Sequence, residues 1–186
     1  MTEHVVLWRR LDLPGHESAR LFAEGAHWHL HGTAVFAHDG LPCRLDYRIV
    51  CDQAWRTRSA RVAGWAGTRR VGVDVSADAE HRWRVNGADQ PAVDGCVDVD
   101  LGFSPSTNLL PIRRLALAVG DAADVRAAWL PFPSLDLQPL PQRYARTADR
   151  RYRYESDGGR FTAALDVDAA GFVTSYPGLW ELAASI

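Results

Sequence analysis

Between Gly95 and Leu117 the chain changes period, and that change narrows the folds open to it. Cys96, Asp98 and Asp100 alternate with Val97, Val99 and Leu101, the two-residue period of a strand with unlike faces. Beyond Ser104-Pro105-Ser106-Thr107 the spacing becomes helical. Asn108 is a candidate cap, Pro111 falls in a first turn where its missing N–H costs little, and Leu109, Ile112, Leu115 and Ala116 form one apolar stripe. Gly120 is a candidate stop, so the spacing predicts a helix over 108–119. A lone amphipathic helix has to bury its stripe, and here only sheet can cover it.

The rest of the chain reads as strands. Alternation marks Val5–Leu11, 27–36, Cys43–Cys51, Trp55–Trp65, Arg70–Val75, His81–Val85, Val125–Leu130, Arg151–Glu155, Arg160–Val167 and Phe172–Tyr176, while Glu17–Glu24 fits a strand or a short helix. Asp39-Gly40 signals a hairpin of two residues or more, and Asn86-Gly87 a type I′ turn. Pro131, Pro133, Pro139 and Pro141 mark an irregular connection or a sheet edge. About ten or eleven short strands, with no internal repeat and no linker, predict one domain over residues 1–186. The expected fold is mainly β: a curled antiparallel sheet, a spiral β-roll or half-barrel, wrapped around one central α-helix.

A net charge of −2 excludes the basic footprint of a nucleic-acid binder. No apolar run reaches the length of a membrane span or a signal peptide. Three cysteines argue against a disulfide framework, and Cys43 and Cys51 lie about 26 Å apart along one strand. Reduced thiols and a cytoplasmic location follow as expectations.

Four constellations carry candidate chemistry. His27, His29 and His31 share one face of a strand, as metal ligands or as a solvated polar face; no carboxylate stands at a cupin-like spacing, and no metal or other cofactor is expected. Asp98 and Asp100 point the same way along their strand, so they cannot flank a glycosidic bond by themselves. The structural alternative locks them to Arg113, Arg114 or the helix start at Asn108. Trp55, Arg56, Arg58, Arg61 and Trp65 make an arginine–aromatic strand suited to sugars or phosphate head groups, or simply a solvated face. His16 and Glu17 invite a hydrolase reading, but no Gly-x-Ser-x-Gly elbow accompanies them, and a turn contact or a pocket mouth suits them better.

Asp98-Val99-Asp100-Leu101, Pro105, Thr107-Asn108 and Leu110-Pro111-Ile112-Arg113-Arg114-Leu115 resemble the signature of the bacterial putative glycolipid-binding protein family. The likeness extends to Gly15-His16-Glu17, to Asp52-x-x-Trp55-x-Thr57-Arg58 and to Tyr176-Pro177-Gly178 with Trp180. It implies a fold similar to the periplasmic lipoprotein carriers, a curved sheet around a helix. The implied function is non-catalytic binding of a lipid or glycolipid between sheet and helix, with acyl chains on inward apolar faces and an Arg/Trp rim at the head group. Two rivals stand beside it: an enzyme on a sugar or lipid head group using His16, Glu17, Asp98 or Asp100, and a packed interaction module without a cavity. The sequence does not determine oligomeric state.

Overall fold

The alternation that fills the sequence builds one sheet. The computed structural model describes residues 3–186. Its strands are β1 (His4–Arg10), β2 (Gly15–Glu24), β3 (His27–His38), β4 (Leu41–Asp52), β5 (Thr57–Ala66), β6 (Arg69–Ala77), β7 (Trp83–Val85), β8 (Ala88–Asp89), β9 (Asp98–Leu101), β10 (Ala122–Leu130), β11 (Gln138–Ala148), β12 (Arg151–Ser156), β13 (Phe161–Val167), β14 (Val173–Tyr176) and β15 (Trp180–Ser185). Their spatial order is β8-β7-β6-β5-β4-β3-β2-β1-β15-β14-β13-β12-β11-β10-β9. Only β9 and β10 pair in parallel; all other neighbours are antiparallel. The chain is thus two meanders joined where β15 pairs with β1, and residues 90–97 cross from one sheet end to the other. That crossing is tied down: Thr57 N–H donates to the Val97 carbonyl at 3.1 Å, and Val99 N–H donates to Thr57 Oγ1 at 3.0 Å.

Turn chemistry sets the register of the first meander. Asp39-Gly40 and Asn86-Gly87 both hold two successive positive φ angles, the requirement of a type I′ turn. The first loop has two residues, pairing His38 with Leu41 and Gly32 with Tyr47. Glu17–Glu24 is strand. The proline-marked segment also contains a strand, β11, which the sequence reading missed. Pro139 and Pro141 pair only with β10, because β12 joins β11 from Gln142 onward. On that locally free edge a residue without an N–H is tolerated. The tail after Tyr176 forms β15, with Trp180 buried against the sheet.

Alternation also sorts the core. Cys43, Leu45, Tyr47, Ile49 and Cys51 of β4 are all buried, as are Val71, Val73 and Val75 of β6. The three cysteines are free buried thiols. The inward apolar faces, expected to hold acyl chains, are instead packed against other side chains: Trp8, Leu30, Leu45 and Ile49 are at most 1% exposed.

Among the described residues one α-helix, α1, spans Leu109–Leu115 and is shorter than the 108–119 expected. Ala116 ends it in the left-handed conformation (φ 44°), whereas Gly120 sits in the turn entering β10, its N–H bonded to Arg146. Asn108 does not cap it; its backbone is already helical in a 3-10 turn over Ser106–Asn108. Seven residues cannot hold a helix in water alone. Burial of Leu109, Leu110 and Ile112, about 1.5–3 kcal/mol each, fixes it against the sheet.

Candidate functional site

Two clefts flank the segment from β9 through α1. Of the two acids on β9, Asp98 is buried and Asp100 is half-buried at a cleft wall. Asp98 is 2% exposed and receives a two-pronged bond from Arg114, Nε to Oδ1 at 3.0 Å and Nη2 to Oδ2. Burial raises the Asp98 carboxyl's pKa, and Arg114 opposes the rise. Among the described residues Asp100 forms no ion pair or hydrogen bond with an arginine, contrary to a lock with Arg113 or Arg114. Its Oδ2 accepts from Gln142 Nε2 and its Oδ1 from Thr107 at 3.4 Å, and burial pushes its carboxyl up to about 6.

Asp100 lines the first cleft, about 380 Å³, with Ser104 and Asn108 from the loop before α1. Trp129, Tyr154, Tyr176 and Trp180 supply aromatic walls, and the β12-free end of β11 forms the rim. The Trp129 ring crosses Gly102, where a Cβ would lie 2.7 Å from the indole nitrogen. Tyr144 donates to Asn108 Oδ1 at 2.9 Å, which fixes the amide.

Behind Ser104 lies a closed polar cluster. Ser104 Oγ at 2.5 Å and Tyr47 OH at 2.6 Å both donate to Glu17 Oε1. Ser106 Oγ stands 2.7 Å from each of those hydroxyls, and Ser106 N–H donates to Ser104 Oγ. Glu17 is 1% exposed, its Oε2 has no partner among the described residues, and burial pushes its carboxyl up to about 8 against the pull of Ser104 and Tyr47. Burial thus favours the protonated form of this acid. Tyr47 reaches it from β4 across Gly32 of β3, where a Cβ would stand 2.3 Å from the tyrosine ring. Gly32→Ala should destabilise the protein by about 2–3 kcal/mol through overpacking; a urea midpoint unchanged from wild type would refute this contact.

The second cleft, about 470 Å³, opens on the other flank of α1. Trp55, Arg113, Arg146, Arg150 and Tyr152 line it, with Asp149 and Asp168. Trp55 is sandwiched: Trp28 stacks on one face at 4.5 Å, and the Arg113 guanidinium lies over the ring at 4.9 Å.

The expected Arg/Trp rim is not one surface. Trp55 and Trp65 stand at opposite ends of β5, Arg58 is held by Asp52 at 2.8 Å, Arg56 points to solvent and Arg61 faces Asp74. The arginines beside Trp55 come instead from α1, the end of β11 and the turn after it. His16 is exposed while Glu17 is buried, so alternation sends them to opposite faces of β2. His29 and His31 flank Phe22, stacked and edge-on, and burial with the neighbouring Arg48 charge lowers the His31 pKa. Among the described residues no group of three metal-ligating side chains converges. Ser104, Tyr47 and Arg146 were not singled out in the sequence; the two-residue Asp39-Gly40 turn, which sets Gly32 opposite Tyr47, is the signal that points to Tyr47.

A comparison with curated proteins gives no match. A crystal structure of a DUF1089 family protein from Pseudomonas aeruginosa is similar to this chain, at 36% sequence identity and a TM-score of 0.77, covering 89% of this chain and 91% of that one. The family model described as "Putative glycolipid-binding" matches residues 5–182. A match over nearly the whole chain, with a solved relative of the same extent, places this protein in the family that carries that description.

Proposed function

We propose that the protein binds the sugar head group of an amphipathic glycoconjugate, without covalent chemistry, in the 380 Å³ cleft between sheet and α1. The observation that carries this reading is the lining: four aromatic side chains around the Asp100 carboxylate and the Asn108 amide, a combination that stacks on sugar faces while bonding their hydroxyls. The cleft suits a head group, and the packed inward faces leave the acyl chains outside it. Two observations speak for binding over turnover: Ser104 Oγ is saturated by Glu17 and Ser106, and His16 faces away from them. The bonds from Thr57 to Val97 and Val99 support a sheet that curls about α1 as a single domain, and the three free buried thiols suit a reducing, cytoplasmic setting.

Native mass spectrometry of the protein from its own host, followed by organic extraction, tests the reading. A stoichiometric glycolipid is expected. A clean unliganded mass, with no uptake from a total lipid extract, would end it. With octyl glucoside below its micellar concentration as probe, affinity should rise as pH increases through about 6, where Asp100 becomes a stronger acceptor on ionisation. Asp100→Asn should flatten that profile, and Trp129→Ala should weaken binding about tenfold; calorimetric titrations at pH 5 and 7.5 read both.

A further inference from the structure

We infer that the second cleft, the one beside Trp55, is a phosphate-binding site, separate from the head-group cleft and independent of what that cleft binds. The inference starts from Arg113, which forms no ion pair or hydrogen bond with any described residue although most other arginines here are paired. A free arginine on a surface is ordinary. This one is held in place from two sides.

Its stem lies against Gly171, where a Cβ would meet Arg113 Cδ, Leu109 and Ile112 at 3.3–3.5 Å. Its guanidinium lies on Trp55, whose other face is closed by Trp28. Trp55 adopts φ 65°, a conformation that a bulky side chain reaches only when its surroundings impose it. Those surroundings are built by Asp52. Its Oδ1 accepts from the N–H groups of Ala54 and Arg56 at 2.9 Å, and its Oδ2 from Arg58 at 2.8 Å; against the cost of burial, the Arg56 N–H and then Arg58 lower the Asp52 pKa. A strained tryptophan, a locked turn and a bare glycine thus converge on presenting one guanidinium that has no anion.

The same cleft receives Arg146 from the end of β11 and Arg150 from the turn that follows it. Arg146 donates to the carbonyls of Leu117 and Asp149 and to the Asp149 carboxylate at 3.2 Å, and keeps one Nη1 proton unassigned. Arg150 pairs loosely with the same exposed carboxylate, at 3.9 Å. The second lining acid, Asp168, is occupied in accepting the Gly171 and Phe172 N–H groups. Guanidinium groups from separate elements, one pre-oriented by stacking, suit a tetrahedral oxyanion better than a single flat carboxylate. The shared ligand chemistry is a phosphate ester or free phosphate. A lipid phosphate and a soluble phosphate are its two sources.

Calorimetry and Arg Nε–Hε NMR with inorganic phosphate, at ionic strength held constant with chloride, test the site in the intact protein. Saturable phosphate binding is expected, with affinity reduced about tenfold by Arg113→Gln and less by Arg150→Gln. Arg113→Lys should not restore it, because lysine keeps the charge and loses the fork. Arg70→Gln, the same charge change on the exposed face of β6, should leave affinity unchanged. Arg113 and Arg150 are solvent-facing, so these variants should melt as wild type does. Vesicles of phosphatidylcholine with and without phosphatidylglycerol separate the sources: Arg113-dependent sedimentation with the anionic vesicles assigns a lipid phosphate, and its absence beside phosphate binding in solution assigns a soluble one. Failure of phosphate and vesicles alike, or equal losses from Arg113→Gln and Arg70→Gln, would overturn the inference.

Discussion

Wild-type protein should lose stability steadily between pH 4.5 and 8, and Glu17→Gln should remove most of that loss. The cause is the carboxyl enclosed between Tyr47 and Ser104. Its ordinary value is 4.5, and burial raises it to about 8 in the folded state. Across that interval the native protein binds a proton that the unfolded chain has released, so the unfolding free energy falls as pH rises. The stabilisation is complete below the unfolded value and lost once pH passes the folded one. A shift of this size corresponds to something on the order of 5 kcal/mol. Asp100, raised from 3.8 to about 6, acts with the same sign in a lower window. The difference between variant and wild type isolates Glu17. Glutamine keeps an oxygen for both hydroxyls and places its amide where Oε2 already lacks a partner. Urea unfolding at pH 5 should therefore give similar midpoints for the two proteins, and at pH 8.5 the variant should be the more stable by several kcal/mol. Parallel curves across that range would mean that Glu17 is ionised and solvated in the native state.

The sequence disclosed this architecture unevenly, for physical reasons. Strands with one buried face, such as β4, announce themselves, because Cys43, Leu45, Tyr47, Ile49 and Cys51 repeat at the period of the pleat. β9 was legible in part: a lock between its acids and the helix arginines holds for Asp98 with Arg114, whereas Asp100 bonds Gln142, a partner on the strand that the prolines hid. β11 was hidden because its prolines resemble breakers, and only the late arrival of β12 at Gln142 explains how they fit. The helix was overextended since periodicity cannot see that Ala116 turns left-handed.

The candidate sites were less legible than the fold. Glu17, Asp98 and Asp100 could be named, but their partners come from distances of 30 to 87 residues along the chain for Glu17 alone. Trp55 was named with the wrong arginines, since strand neighbours in sequence were taken for neighbours in space. One partner was within reach: a two-residue turn at Asp39-Gly40 pairs Gly32 with Tyr47, and a glycine opposite a tyrosine lets the ring lie across the strand toward β2.

Breaking the Asp98–Arg114 pair should cost about 3–5 kcal/mol, and the two ways of breaking it should behave differently with pH. Arg114→Met leaves a carboxylate that is 2% exposed without its counter-ion, whereas Asp98→Asn leaves an arginine whose side chain is 19% exposed and can turn toward water. The first should be the more damaging at pH 7. Asp98 is already raised by burial with Arg114 opposing; without Arg114 it rises further. Its folded value then stands well above the unfolded 3.8, so Arg114→Met should approach wild-type stability as the pH falls toward 4 and the buried acid becomes neutral. Asp98→Leu combined with Arg114→Leu should recover much of the loss, because an apolar pair removes both desolvation penalties at once. Urea unfolding of the three variants at pH 4.5 and 7 separates these outcomes. Equal, pH-independent losses from both single substitutions would show that Asp98 is hydrated in the native protein, and that β9 is not sealed against α1 as its burial indicates.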